Sequence, residues 1–175
     1  MKQMEVTEKR IGEHTFFIKP FPAFTAANIS GELAKLIGPL IAGLASLLNG
    51  GEEEIDIRDI EANKAAVALS DAFSSLSGDQ VERIMKKLLI DNENISVEGP
   101  VTDDAVKVLN FDLTNEVFCG DVMNMYALCF EVIRLNFGGF FKSLGDRSGE
   151  VQEVVRRVTH KSTVSSTPLS SASSN

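Results

Sequence analysis

The alternation of apolar and polar residues predicts a mainly α-helical chain with a small β-element at its start. Residues 6–18 read VTEKRIGEHTFFI, where β-branched and aromatic residues flank a turn at 12–13, and this pattern predicts a β-hairpin with Thr15–Ile18 as its second strand. A helix is predicted to begin after Pro22. An isolated hairpin is only marginally stable in water, so we expect it to pack on the rest of the domain.

Residues 31–48 predict a helical segment that is apolar on nearly every face. Ser30 is predicted to cap it, and Gly38-Pro39 is predicted to bend it or to break it into two short helices. The apolar run LAKLIGPLIAGLASLL has 16 residues and contains Lys35, whereas a membrane span needs about 20 apolar residues. A membrane span is therefore not expected, and a core helix and a partner-facing helix both remain open.

Two further helices are predicted from apolar residues at helical spacing. The first covers 61–76, and the second begins at a capping box formed by Ser77 and Gln80 and continues through 81–90. The apolar face of the first helix consists of Ala65, Ala66, Leu69, Ala72, Phe73 and Leu76. A short strand is predicted at 94–98.

The longest helix is predicted over 114–135, after a helical turn or an irregular connection at 103–113. Its sequence is apolar almost all round, which predicts a place at the centre of the fold or between subunits. Cys119 and Cys129 are then ten residues apart, about 15 Å along the helix axis, which is too far for a disulfide. Both cysteines are predicted to be buried thiols.

The chain divides by composition into a helical domain with its β-hairpin at 1–145 and a polar segment at 146–175. Residues 148–161 are predicted as a polar helix. The Ser/Thr-rich end has almost no apolar residues, so we expect disorder after about residue 160.

The charge of the chain excludes one class of function. The formal net charge is −8, and the middle of the chain, residues 21–141, holds 19 acidic and eight basic residues, a net charge of −11. Such a surface repels a phosphate backbone, so nucleic-acid binding is not expected.

Residues that would carry catalysis or bind a metal are scarce. Neither His14 nor His160 belongs to a metal-ligand pattern, and no phosphate-binding loop or nucleophile elbow occurs. The acidic cluster at 52–56 lacks the spacing of a calcium loop. We therefore expect no cofactor, no metal and no enzymatic activity.

The chain carries more hydrophobic residues than a domain of about 140 residues usually needs for its own core. Such a surplus is typical of oligomer interfaces and of grooves that bind a helix. We propose an apolar ridge in the segment 33–48 for self-association or partner binding. The candidate partner-binding residues are Phe21, Phe24, Leu36, Leu40, Ile41, Leu44, Leu48, Phe137, Phe140 and Phe141.

Two stretches resemble the tail assembly chaperones of long-tailed bacteriophages. They are FFIKPFPAFTAANI at 16–29 and LNFGGFF at 135–141, and the resemblance covers about 10–145. It implies a small, acidic, mostly helical protein that binds the hydrophobic helices of the tape measure protein and keeps them soluble while the tail tube protein polymerises. It also implies self-association and a longer, frameshifted product of the same gene.

The resemblance further implies a location in the host cell cytoplasm and absence from the mature virion. Two alternatives remain open from the residues themselves. One is a structural component of the tail or virion, which would persist in the particle. The other is a small enzyme or ligand-binding domain with an enclosed apolar pocket.

Overall fold

The computed structural model describes residues 5–47 and 61–139, apart from the side chains of 37–38 and 40–47. Within these residues it confirms a mainly helical fold with a small β-element near the N-terminus. The elements are β1 (Thr7–Ile11), β2 (His14–Ile18), α1 (Ala23–Leu47), α2 (Ala62–Phe73), α3 (Gly78–Leu89), β3 (Ile95–Glu98), β4 (Lys107–Val108), α4 (Phe111–Val117) and α5 (122–139). The acidic cluster at 52–56, the predicted helix at 148–161 and the Ser/Thr-rich end lie outside the described residues.

The predicted hairpin forms two strands of a four-stranded antiparallel sheet with the order β1-β2-β3-β4. Its two-residue turn begins at Gly12, whose φ of 60° is a left-handed conformation that glycine adopts without steric cost. The strand predicted at 94–98 is β3, which pairs with β2 so that Val97 lies opposite Phe16. Both side chains are fully buried, so one face of the sheet belongs to the core.

The helix α1 corrects two predictions about the apolar segment. Helix α1 continues from Ala23 to Leu47 with Pro39 inside it, so the predicted alternative of two short helices is wrong, whereas the alternative of a bend stays a prediction. Gly38 has no Cβ and so relieves the steric conflict that proline imposes on the residue before it. Ser30 does not cap a helix, because it lies within α1 and its hydroxyl donates to the carbonyl of Ala27 at 2.8 Å.

Helices α2 and α3 confirm the predictions made from their periodicity. Five of the six residues on the predicted face of α2 are buried, namely Ala65, Ala66, Leu69, Ala72 and Phe73. The capping box at the start of α3 is present: the Ser77 hydroxyl accepts from the N–H of Gln80, and the Gln80 side chain accepts from the N–H of Ser77. Glu32 of α1 forms ion pairs with Arg83 and Lys87 of α3.

The prediction of one helix over 114–135 is wrong, because the chain turns at 118–121 and separates α4 from α5. Gly120 has a φ of 77°, a left-handed conformation that ends a helix. The Asp121 carboxylate then accepts a hydrogen bond from the N–H of Asn124 at 3.1 Å and so caps the start of α5. Cys119 lies in this turn and is exposed, which corrects its prediction as a buried thiol, whereas Cys129 in α5 is buried as predicted.

Helix α5 occupies the centre of the described core, as predicted for this segment. Every residue from 127 to 133 is buried, which leaves no solvent-facing side in that part of the helix. Glu131 is among them, and its charge is compensated by ion pairs with Arg134 and with Lys9 of β1. Phe118, just before α5, stacks on Phe16 of the sheet with ring centroids 5.7 Å apart.

Candidate functional site

An apolar groove of about 620 Å³ lies between α3, α4 and the first turns of α5. Its wall is mostly hydrophobic, and the polar side chains come from a few positions on α3 and α4. The apolar residues are Leu76, Val81, Met85, Leu89, Ile90, Phe111, Met125 and Tyr126, and the others are Gly78, Glu82, Lys86, Thr114 and Asn115.

Helix α3 forms one complete wall of the groove. Val81, Met85 and Leu89 recur every four residues and therefore lie on one face of the helix. Met85 and Leu89 are also buried, so this face contributes both to the core and to the floor of the groove. The Ser77–Gln80 capping box fixes where α3 begins and so determines which residues face the groove.

Helix α4 forms the second wall, and its start is fixed by Asn110. The side-chain oxygen of Asn110 accepts a hydrogen bond from the N–H of Leu113 at 2.9 Å. Phe111 is the first residue of the helix and remains 52% exposed at the groove. The ammonium group of Lys86 on α3 lies 5.0 Å from the centre of the Phe111 ring and 2.6 Å from the carboxylate of Glu82, so Lys86 connects α3 to α4.

The third wall depends on the turn at Gly120. Because α5 begins as a separate helix after this turn, Met125 and Tyr126 line the same groove as Phe111 of α4. Tyr126 is held against α2 by Phe73, with ring centroids 5.6 Å apart and the rings tilted by 52°. The groove is thus attached to the core on one side and open to solvent at Phe111.

The residues of the groove favour binding of an apolar ligand over acid–base chemistry. Among the described residues that line it, only Glu82, Lys86 and Tyr126 carry titratable groups, and Glu82 and Lys86 form an ion pair with each other. Burial raises the pKa of the Cys129 thiol, which keeps it protonated and unreactive, and this residue does not line the groove. Among the described residues no cluster of His, Cys, Asp or Glu could hold a metal ion.

The predicted partner-binding residues whose side chains the structure describes do not line this groove. Phe21, Leu36 and Phe137 are buried within the chain, and the Phe21 and Phe137 rings lie 6.3 Å apart. Phe24 is 93% exposed in the first turn of α1 and is not part of the groove. The side chains of Leu40, Ile41 and Leu44 are not described, and Leu48, Phe140 and Phe141 lie outside the described residues, so the proposed ridge stays a prediction.

Sequence reasoning missed Phe111, Met125 and Tyr126 as site residues. The available signals were the pair Gly120-Asp121, which matches a helix stop followed by a helix cap, and the methionine-rich start of α5, VMNMY. Methionine side chains adapt to irregular apolar partners and are frequent on binding surfaces. Within the described parts of the chain, no helix has both the length and the hydropathy that a membrane span requires.

Together, these features describe a mainly helical domain that has a small sheet and an open apolar groove. Residues 12–149 match the family model described as phage tail assembly chaperone protein, TAC, and this chain belongs to that family. Comparisons with curated proteins and with solved structures gave no match. The family membership assigns the protein a chaperone role in phage tail assembly.

Proposed function

We propose that the protein binds hydrophobic helices of the tape measure protein in the groove between α3, α4 and α5 and keeps them soluble while the tail tube assembles. The observation that carries this proposal is a large, open and mostly apolar groove on a protein of the tail assembly chaperone family. An amphipathic helix recognised in such a groove inserts apolar side chains at positions i, i+4 and i+7.

The dimensions of the groove support a helix as its occupant. The groove residues of α3 extend from Gly78 to Leu89, which is roughly 16 Å along the helix at about 1.5 Å per residue. A partner helix lying along α3 would therefore make contact over about three turns. Met85 and Met125 lie on two different walls, so their flexible side chains can adjust to client helices of different sequence.

The energetics favour transient binding, as a chaperone requires. Each large apolar side chain that the client buries contributes roughly 1.5–3 kcal/mol. Three such side chains give roughly 5–9 kcal/mol, of which association and side-chain ordering remove a large part. One groove therefore binds one helix weakly and reversibly, and a client can be released to the growing tail.

Co-expression with a hydrophobic segment of the tape measure protein tests the proposal. The wild-type protein should move the segment into the soluble fraction, and Phe111→Asp should lose most of this effect, because it places a carboxylate in the apolar groove. Phe24→Asp is the matched control: both residues are exposed phenylalanines in the first turn of a helix, where an acidic side chain is tolerated. Equal activity of wild-type protein and the Phe111→Asp variant would contradict a role for the groove. Loss of activity only in the Phe24→Asp variant would indicate that the client binds at α1 instead of in the groove.

A chaperone and a structural tail component differ in whether the protein is present in the mature virion. We propose that the protein acts in the host cytoplasm and leaves before the particle is complete. Mass spectrometry of purified virions should then detect tube and tape measure proteins without this chain. Its presence at a stoichiometry comparable to that of a tail protein would favour the structural alternative.

A further inference from the structure

We infer that the helix bound in the groove carries basic residues on both sides of its apolar stripe. This inference rests on the proposed function and specifies the chemistry of the client. It is drawn from the charged residues around the groove, because the apolar wall alone does not indicate which charges the client helix carries.

The rim of the groove has an excess of negative charge. Glu82 and Lys86 line the groove and neutralise each other through their ion pair. Asp79 follows Gly78 at one end of the α3 wall, and Asp112 follows Phe111 on α4. Both aspartates are exposed, and neither forms an ion pair within the described parts of the chain. Neither aspartate lines the groove itself, and each is placed at the rim by its position next to a lining residue. With the mutually neutralised Glu82–Lys86 pair, they leave two unpaired negative charges there.

The two unpaired carboxylates belong to different ends of the groove. Asp79 lies in the first turn of α3, whereas Asp112 is next to Phe111, whose ring contacts Lys86 near the last turn of that helix. The N-termini of α3 and α4 offset part of this charge through their dipoles. The exposed carboxylates nevertheless face the solvent from which a client arrives, and the net charge of −8 on the whole chain acts in the same direction. Basic residues before and after the apolar stripe therefore complement the rim, and acidic residues there are repelled.

Binding of labelled synthetic helices tests the inference directly. Three peptides carry the same leucine stripe at i, i+4 and i+7 and differ only in their flanks, which are lysine, glutamine or glutamate. Fluorescence anisotropy with the full chain should give a Kd about tenfold lower for the lysine-flanked peptide than for the glutamate-flanked peptide at low salt. In 0.5 M NaCl this ratio should fall towards about two, because salt screens exposed charges.

Charge-neutralising variants identify the rim as the cause. Asp79→Asn/Asp112→Asn should remove most of the preference for lysine flanks and leave the Kd of the glutamine-flanked peptide within about twofold of the wild-type value. The control Asp71→Asn/Asp103→Asn removes the same number of exposed charges at positions that are not next to a groove-lining residue and should keep the preference.

The outcomes separate this inference from the proposed function. If lysine- and glutamate-flanked peptides bind equally well, the charge inference is wrong and the groove keeps its proposed role. A preference that survives Asp79→Asn/Asp112→Asn also overturns the inference, since the rim does not then cause it. If no peptide binds, including the glutamine-flanked one, both the inference and the role of the groove are overturned.

Discussion

Gly99 is the position at which a single methyl group should destabilise the fold most clearly. It follows β3 and has φ 157° and ψ −168°, a region of backbone space that is almost restricted to glycine. Its N–H donates to the Thr102 hydroxyl at 3.1 Å, and the same hydroxyl donates to the Gly99 carbonyl at 3.0 Å. These hydrogen bonds hold a buried turn in place, so the backbone cannot relax freely to accept another residue.

Two separate costs are expected for Gly99→Ala. The backbone conformation costs about 1–3 kcal/mol for a residue with a Cβ. The new Cβ would also lie 2.6 Å from Cδ2 of His14 and 3.3 Å from the carbonyl oxygen of Glu13, and such overpacking costs about 1–3 kcal/mol. The free energy of unfolding should therefore fall by about 2–6 kcal/mol. Urea unfolding followed by circular dichroism at 222 nm measures this change.

A double-mutant cycle separates the steric cost from the backbone cost. In His14→Ala/Gly99→Ala the imidazole is absent, so about 1–3 kcal/mol of the loss should return relative to the sum of the single variants. Gly78→Ala is the control, because its Cβ meets nothing within 4 Å and Gly78 begins a helix, so its stability should be unchanged or slightly higher. A loss below about 1 kcal/mol for Gly99→Ala, or additive effects in the double variant, would refute this reasoning.

Three further predictions follow from other parts of the fold. Leu128 is fully buried in α5, so Leu128→Ala should lower the free energy of unfolding in urea by about 2–5 kcal/mol, and a loss below about 1 kcal/mol would place it outside the core. A thiol reagent should label Cys119 in the native protein and Cys129 only after denaturation, because burial excludes the reagent and raises the pKa of Cys129; equal labelling rates would contradict this. Ser77→Ala should cost about 1 kcal/mol in urea unfolding, whereas Ser77→Asn should keep the cap and near-normal stability, and equal losses in both would argue against the capping box.

The parts of the fold that local patterns determine could be predicted from the sequence. The hairpin at 6–18, the helix at 61–76, the capping box at Ser77 and the strand at 94–98 each have a signal within a few neighbouring residues. In these segments the period of the apolar residues agrees with the structure that forms. The pairing of β2 with β3 was not predicted, because the order of strands in a sheet depends on contacts between residues about 80 positions apart.

The error over 114–135 has a specific cause. When a segment is apolar on every face, a break in the helix leaves the hydrophobic pattern unchanged and cannot be recognised from it. The decisive residues are Gly120, which adopts a left-handed conformation, and Asp121, which caps the next helix. At Pro39 the error was the opposite one, because a break was considered where the helix continues. Proline inside a helix removes a backbone hydrogen bond and usually kinks or breaks it, yet α1 extends through Pro39.

The candidate site could not be predicted from local sequence patterns, because three segments that are separated in the sequence form it together. Its walls come from 76–90, 111–115 and 125–126, and no one of these segments has the composition of a binding site. The sequence predicted an excess of hydrophobic surface but assigned it to residues such as Phe21 and Leu36, which the fold buries. Burial could not be assigned from sequence, since core and interface residues have the same chemistry.

The turn between α4 and α5 explains how apolar residues become available to a partner. In one continuous helix Val122 would lie four residues after Phe118 and so on the same face, which is buried against the sheet. The turn at Gly120 changes the direction of the chain, and Val122 is instead 49% exposed, one helical turn before the groove residue Met125. The apolar surface at the groove therefore arises from a break in the backbone rather than from a surplus of hydrophobic residues in one helix.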